Sequence, residues 1–268
     1  MAYSMHYRGS QLNNQPSNDA AQQQSNNNIN IVLLGKTGVG KSSSGNTILG
    51  GNRFPCGRSL SAVTQESTVQ RSVIGGRSVS VIDTPGFFCT NLTQEKLSRE
   101  FARSVFLSSP GVHAFLFVVP FGRFTKQEEE ILKKVTKVFG KDVLKHVILL
   151  FTYGDECIRE NMDKEIDGND VVRRVVQSCQ GYHVLNNKDL TDRQQVSDLL
   201  MKIDSIERNQ GYYTNEVYEW AQKWPWEQYW EMFKKFFKAI IDFFQNVAKS
   251  FDKNHWRNGF VYETLKNV

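Results

Sequence analysis

The sequence predicts an α/β domain built on a mostly parallel sheet, with one antiparallel edge strand and a helical C-terminal extension. Three observations point there. Short, unbroken apolar runs recur along the chain, as strands buried on both faces do. Stretches of helical periodicity alternate with them, which implies a sheet covered on both sides. One pair of runs, "STVQRSVIGGRSVSVID", instead meets at Gly75-Gly76, the signal of a tight hairpin.

The elements follow in order. Residues 1–29 are dominated by Asn, Gln and Ser and bury too little apolar surface to offset their ordering entropy, so a disordered tail is expected. From residue 30 the texture changes: "INIVLLG", ending at Gly35, reads as a buried strand, and "KSSSGNTILGG" as a helix closed by Gly50 and Gly51. After the hairpin, "GVHAFLFVVPF" is another buried strand. "TKQEEEILKKVTKVFG" is a helix with Thr125 as its cap, Glu128 three residues on and Gly140 as its stop. "KHVILLFTYGD" is a further strand. "GNDVVRRVVQSCQ", "GYHVLNN" and "TDRQQVSDLLMKIDSIERN" then read as helix, strand and helix, the last with Val196, Leu199, Leu200, Ile203 and Ile206 on one face. The expected organisation is a tail (1–29), a domain (30–218) and an extension (219–268). Ligands of such sheets gather at the carboxyl ends of the strands.

Composition narrows the class. With 40% apolar and 23% charged residues the chain reads as globular, and its net charge of +5 is scattered, so nucleic acid is not an expected partner. Cys56, Cys89, Cys157 and Cys179 lack metal-type spacing, which favours a reducing compartment, the cytoplasm. The N-terminus shows no secretory apolar run, and Ala2 stands where myristoylation needs glycine. No apolar run approaches the roughly 20 residues of a membrane-spanning helix.

"GKTGVGKS", Gly35 to Ser42, fits the phosphate-loop pattern G-x-x-x-x-G-K-S/T, and it follows a strand and opens a helix as that loop requires. The amides of Thr37, Gly38, Val39, Gly40, Lys41, Ser42 and Ser43 would turn inward on phosphates, with the helix dipole behind them. Lys41 would bridge the β- and γ-phosphates, and the Ser42 hydroxyl would ligate Mg2+. Asp83, ending the strand "VSVID", would hold the ion through water, and Gly86 would offer its amide to the γ-phosphate. Thr64 is the best candidate for a second hydroxyl on Mg2+, with Ser67 and Thr68 as competitors.

Guanine presents two adjacent donors that one carboxylate accepts side by side. A strand running into T-x-x-D supplies it: Thr152 and Asp155. The usual form is Asn/Thr-Lys-x-Asp, whose lysine stem lies along the base; here Tyr153 takes that place, and its ring would stack instead. "VLNN", with Asn186 and Asn187, is the last loop near the base, although asparagine is also a common turn former.

At this point the chain resembles the GIMAP family, the GTPases of immunity-associated proteins, a septin- and Toc-like group of P-loop GTPases. The likeness runs from about Asn30 to Tyr218. Its most specific part is "LSSPGVHAFLFVVPFGRFTKQEEEILKKVTKVFG", residues 107–140, which resembles the family's conserved box; "GKTGVGKSSSGNTILG", "AVTQES" and "DTPGFF" match as well. The resemblance implies a P-loop G domain, GTP/GDP and Mg2+ as ligands, Thr64 as the switch threonine and Asp155 as the guanine ligand. It also implies nucleotide-controlled pairing of G domains, as a homodimer or with a related GIMAP, in immunity-associated processes. The chain departs from the pattern at Tyr153-Gly154 and in its aromatic C-terminus.

In "DTPGFF" the residue after Gly86 is Phe87, where Ras-like switches carry the glutamine that orients the attacking water. Slow intrinsic hydrolysis is therefore expected. A guanidinium supplied in trans would replace the missing group and is worth about 10³ to 10⁵ in rate. "PFGRFTKQ" sets Arg123 just past a strand end, and the family likeness implies that it is offered across a face-to-face dimer. Otherwise Arg123 pairs with a carboxylate or caps the following helix. The expected function is a slow, dimerisation-stimulated GTPase acting as a switch or scaffold. The alternative is a GTP-sensing assembly scaffold with negligible hydrolysis. His113, inside an apolar strand, reads as structural.

Residues 225–251 read as one helix with Pro225 in its first turn. Trp226, Tyr229, Trp230, Phe233, Phe236, Phe237, Ile240, Ile241 and Phe244 recur at three- and four-residue steps, with Lys234, Lys235, Lys238 and Lys249 largely off the stripe. Three readings stand: packing on the domain or a partner copy, peripheral contact with cytosolic membrane faces, and docking with a partner helix.

Overall fold

In a computed structural model of the chain, the structure describes residues 28–57, 64, 66–86, 100, 103–153 and 161–214. The readings made on the tail up to residue 27, on Phe87, on Asp155 and on the extension 219–268 lie outside the described residues.

Strand β1 (Asn28–Leu34) runs through the glycine-rich loop into helix α1 (Lys41–Leu49), and the hairpin of β2 (Thr68–Ile74) and β3 (Arg77–Asp83) follows. Next come β4 (Ala114–Pro120), α2 (Lys126–Phe139), a 3-10 turn (Lys141–His146) and β5 (Val147–Thr152). Helices α3 (Met162–Asp167) and α4 (Asp170–Ser178), strand β6 (Tyr182–Val184) and helix α5 (Gln194–Gln210) complete the order. The six strands lie in the order β2-β3-β1-β4-β5-β6. The β2–β3 pair is antiparallel and every other pairing is parallel, the expected mixed sheet with one antiparallel edge.

Position in the sheet explains the apolar runs. β4 and β5, inside the sheet, are buried along their whole length, whereas edge strand β2 is largely open and leaves Val73 74% exposed. Successive residues of a strand face opposite ways. Phe115, Phe117 and Val119 of β4 therefore join one core with Ile131 and Val135 of α2 and Val175 of α4. Leu116 and Val118 join the other, with Ile48 of α1 and Leu199 and Ile203 of α5. The five apolar positions expected on one face of α5 are all buried. At about 1.5–3 kcal/mol for each fully buried side chain, this stripe fixes a helix whose remaining surface is polar apart from the exposed Met201.

Helix ends follow the residues expected of them. Thr125 and Glu128 form a reciprocal capping box at the start of α2, and the amide of Gly51 closes α1 on Asn46 O at 3.1 Å. β1 begins at Asn28, earlier than the composition change suggested, because its pairing with β3 extends to Asn28 and Ser78. The 3-10 turn and α3 had no counterpart in the sequence reading; both are too short to establish a period.

The amino end of the sheet holds structural groups. Asn30 N donates to Nδ1 of buried His113 at 3.0 Å, and burial, with Arg77 adding to it, pushes that imidazole down to about 4, so it is neutral near pH 7. After α5, Tyr213 pairs with Val112 through both backbone bonds and buries its ring against Phe115 and Phe139. The phosphate loop lies at the opposite, carboxyl end. Among the described residues no helix is long and apolar enough to cross a membrane.

Candidate nucleotide-binding site

The loop from Gly35 to Gly40 leaves β1 at its carboxyl end and delivers the amino end of α1. Gly40 caps the helix at φ 96°, a left-handed conformation that side chains rarely adopt, and a Cβ there would stand 3.4 Å from the Thr152 methyl. Lys41 is only 6% exposed. Its Nζ donates to the carbonyls of Lys36 at 2.6 Å and Gly35 at 3.2 Å, which holds the ammonium within the curve of the loop.

Neighbouring elements brace this loop. From the end of β5 the Thr152 hydroxyl donates to Val39 O at 3.0 Å, so Thr152 turns its polar group onto the loop itself. Lys36 reaches α2, where Nζ stands 2.6 Å from Glu128 Oε1. On the far side, Asn187 accepts from Thr47 Oγ1 at 2.8 Å and donates to Ser44 Oγ at 3.1 Å, gripping α1.

Three oxygen ligands converge beside Lys41. Ser42 Oγ donates to Asp83 Oδ2 at 2.6 Å, Thr64 Oγ1 donates to the same oxygen at 3.0 Å, and the two hydroxyls are 3.1 Å apart. The competing hydroxyls do not enter this cluster: Ser67 donates to Glu100 O, and Thr68 is exposed at the start of β2. Asp83 is 1% exposed and its Oδ1 is buried without a hydrogen bond. Burial pushes its carboxyl above the usual range, a rise that Ser42, the Lys41 charge and Thr64 only partly oppose. Hydroxyl and carboxylate oxygens with an orphaned acceptor suit a hard divalent cation such as Mg2+, whose charge would offset that burial.

The segment after β3 closes on the loop. A Cβ on Gly86 would fall 2.6 Å from Thr37 N and closer still to Thr37 Oγ1, so only glycine permits this approach.

At the base side, Tyr153 adopts φ 63°, alone in positive φ among the described non-glycine residues, and its side chain is partly exposed. Asn186 spends its Oδ1 on the amide of Lys188 at 2.9 Å, a local Asx turn. Two further residues of this region escaped the sequence reading. Gln195, fully buried, accepts from Asn186 N at 2.8 Å and donates to Asp189 O at 2.9 Å, fixing the loop's shape. Arg193 places its guanidinium on the carbonyls of Thr47 and Ile48, where α1 ends. The only available signal was two long polar side chains immediately before an apolar stripe.

Arg123 sits in the turn after β4, its amide bonded to Pro120 O at 3.1 Å. Its side chain is exposed, with no partner among the described residues. The cap of α2 belongs to Thr125, and no carboxylate among the described residues pairs with Arg123.

The sheet order, the glycine-rich loop and the Ser42–Thr64–Asp83 cluster together define a P-loop domain of the G-domain fold. A family model described as the AIG1 family matches residues 29–231, and the chain belongs to that family. It is 33% identical over 193 residues to human GTPase IMAP family member 8, a match covering 70% of this chain and 29% of that protein. It is 32% identical over 191 residues to Immune-associated nucleotide-binding protein 5 of Arabidopsis thaliana, covering 68% of this chain and 62% of that one. The chain thus spans less than two thirds of these relatives. Solved structures of Arabidopsis thaliana Toc33 share the fold. A dimerization-deficient mutant superposes with a TM-score of 0.57 at 16% identity, over 72% of this chain and 90% of that one. The complex with Mg2+ and GMPPNP gives 0.53 at 18% identity over the same shares.

Proposed function

We propose that the chain binds GTP and GDP together with Mg2+ in this loop and hydrolyses GTP slowly, with pairing of G domains accelerating the step. The observation that carries this reading is the oxygen cluster beside Lys41, in which Asp83 retains a buried, unbonded oxygen. When bound, Mg2+ would supply positive charge that offsets the negative charge of the phosphates. The chain's own groups do the rest. Inward amides of the loop and the start of α1 bind the phosphates, and Lys41 Nζ neutralises charge that develops toward the leaving oxygen. Ser42 and Thr64 present hydroxyl oxygens to the cation, Asp83 anchors both, and Gly86 brings its backbone to the γ-phosphate side. Asp155, past the end of β5, would accept the two donors of guanine.

Phe87 has no group with which to orient water, so an isolated domain would turn over rarely. The exposed guanidinium of Arg123, without a partner among the described residues, is suited to reach a second copy or a related family member. Among the fold relatives, one structure is described by the statement that dimerization is important for the GTPase activity of atToc33 and psToc159. The proposed setting is the cytoplasm, as a nucleotide-controlled switch in immunity-associated processes, with peripheral membrane contact proposed for residues 225–251 on their aromatic and lysine-rich sequence.

Phosphate release measured against protein concentration tests this. Specific activity rises with concentration for the wild type and stays flat for Arg123→Ala, which still binds nucleotide. A flat wild-type baseline with nucleotide bound would favour the second reading, a GTP-sensing scaffold, which the phenylalanine at 87 also suits.

A further inference from the structure

We infer that Glu128 is a positioning residue: its buried carboxylate ties the phosphate loop, through Lys36, to the segment that carries Arg123. The inference rests on the proposed action of Arg123 in trans and names what aims it.

Glu128 is 3% exposed although it lies in the first turn of a surface helix. Its two oxygens serve different elements. Oε2 accepts from the Thr125 amide at 2.8 Å and from the Thr125 hydroxyl, completing the cap of α2. Oε1 faces the ammonium of Lys36 at 2.6 Å. The Lys36 carbonyl in turn accepts from Lys41 Nζ at 2.6 Å. Lys36, held at its carbonyl by the Lys41 ammonium and at its own ammonium by Glu128, thus links the phosphate loop to the cap at Thr125, two residues after Arg123.

A capping role alone does not require this arrangement. Glutamine serves at the third helical position of a capping box as well as glutamate does. An acid that is merely capping has no reason to bury its second oxygen against a lysine from another loop. Keeping a charge in that place is favourable only while its partner is present. Burial acts to raise the Glu128 carboxyl, but the contacts from Lys36 and Thr125 prevail and hold it below the usual range, so the pair is ionic at neutral pH. The turn between β4 and α2 is also held by backbone bonds of Phe121 and Arg123 and by packing of Phe121 and Phe124 against the core, while Gly122 adopts φ 71° and Lys36 Nζ lies 3.5 Å from Thr125 Oγ1 as part of the same tie. Without the Lys36–Glu128 tie, this segment would keep its helix cap but lose its registration against the phosphates.

Glu128→Gln separates the two roles, because it preserves the cap and removes the charge. In full-length protein at saturating GTP and high protein concentration, Glu128→Gln and Lys36→Met are expected to lower the stimulated kcat about ten- to a hundredfold, the range a small misplacement of a catalytic group produces. For Glu128→Gln the KM for GTP, the affinity for GDP, the melting temperature and the dilute-protein rate should stay near wild type. Lys36→Arg should restore kcat, and Glu128→Gln should add no further loss in an Arg123→Ala background. If Arg123→Ala loses stimulation while Glu128→Gln and Lys36→Met keep the wild-type kcat, the inference is overturned and the function of Arg123 survives. If Glu128→Gln lowers GDP affinity and melting temperature together with both rates, its role is structural and the inference is again overturned. If Arg123→Ala leaves stimulation intact, the underlying reading fails and takes the inference with it.

Discussion

Ser42 Oγ donates to Asp83 Oδ2 at 2.6 Å, while Oδ1 of the same carboxylate is buried without a hydrogen bond. That half-satisfied anion is a strain on the empty domain and an asset to one that holds a cation. Asp83→Asn removes the buried charge, although it leaves a polar atom in the unbonded position, and should therefore stabilise nucleotide-free protein by about 1 kcal/mol. The same change should weaken Mg2+-dependent nucleotide binding. Thermal unfolding in EDTA and GDP titration in Mg2+ measure the two effects.

The pH dependence of that gain has a definite sign. The folded-state value of Asp83 is raised above the ordinary 3.8, so the folded chain holds this proton more tightly than the unfolded chain. Its contribution to stability is most favourable below the ordinary value and is lost as pH rises through the raised one. The advantage of Asp83→Asn over the wild type in EDTA should thus widen as pH climbs through that window and then level off. An advantage that shrinks with rising pH would contradict the assignment of a buried, raised carboxyl.

Thr152→Val keeps the shape of the side chain and deletes its bond to Val39 O. The loop should lose about 0.5–1.5 kcal/mol of support, read as a lower melting temperature and faster release of a fluorescent GDP analogue.

Arg193→Ala leaves the last carbonyls of α1 without their cation, which Thr47 and Ile48 now share. A stability loss of about 1 kcal/mol is expected from the combined hydrogen-bond and dipole terms, seen as a lower urea midpoint with an unchanged slope.

These brace points are also where the sequence was silent. β4 and β5 were legible because strands covered on both faces must be apolar throughout, and the hairpin because Gly75-Gly76 states its turn. Thr125, Glu128 and Gly140 were readable as helix punctuation because capping is a local act. The Thr152–Val39 bond joins residues 113 positions apart, and no local period encodes such a pairing. Asn187 and Arg193 grip α1 across even longer separations. Glu128 was recognised by its capping role, which concealed the second contact its other oxygen makes. Ser42 and Asp83 were placed by pattern, whereas it was the three-dimensional arrangement that brought Thr64, rather than Ser67 or Thr68, to their side.

The most direct measurement is calorimetric titration of the full chain with GDP, with and without Mg2+, against ADP under the same conditions. The account predicts one GDP bound per chain, a marked loss of affinity in EDTA, and no comparable heat from ADP. Failure to bind GDP in Mg2+, or equal binding of ADP, would contradict it.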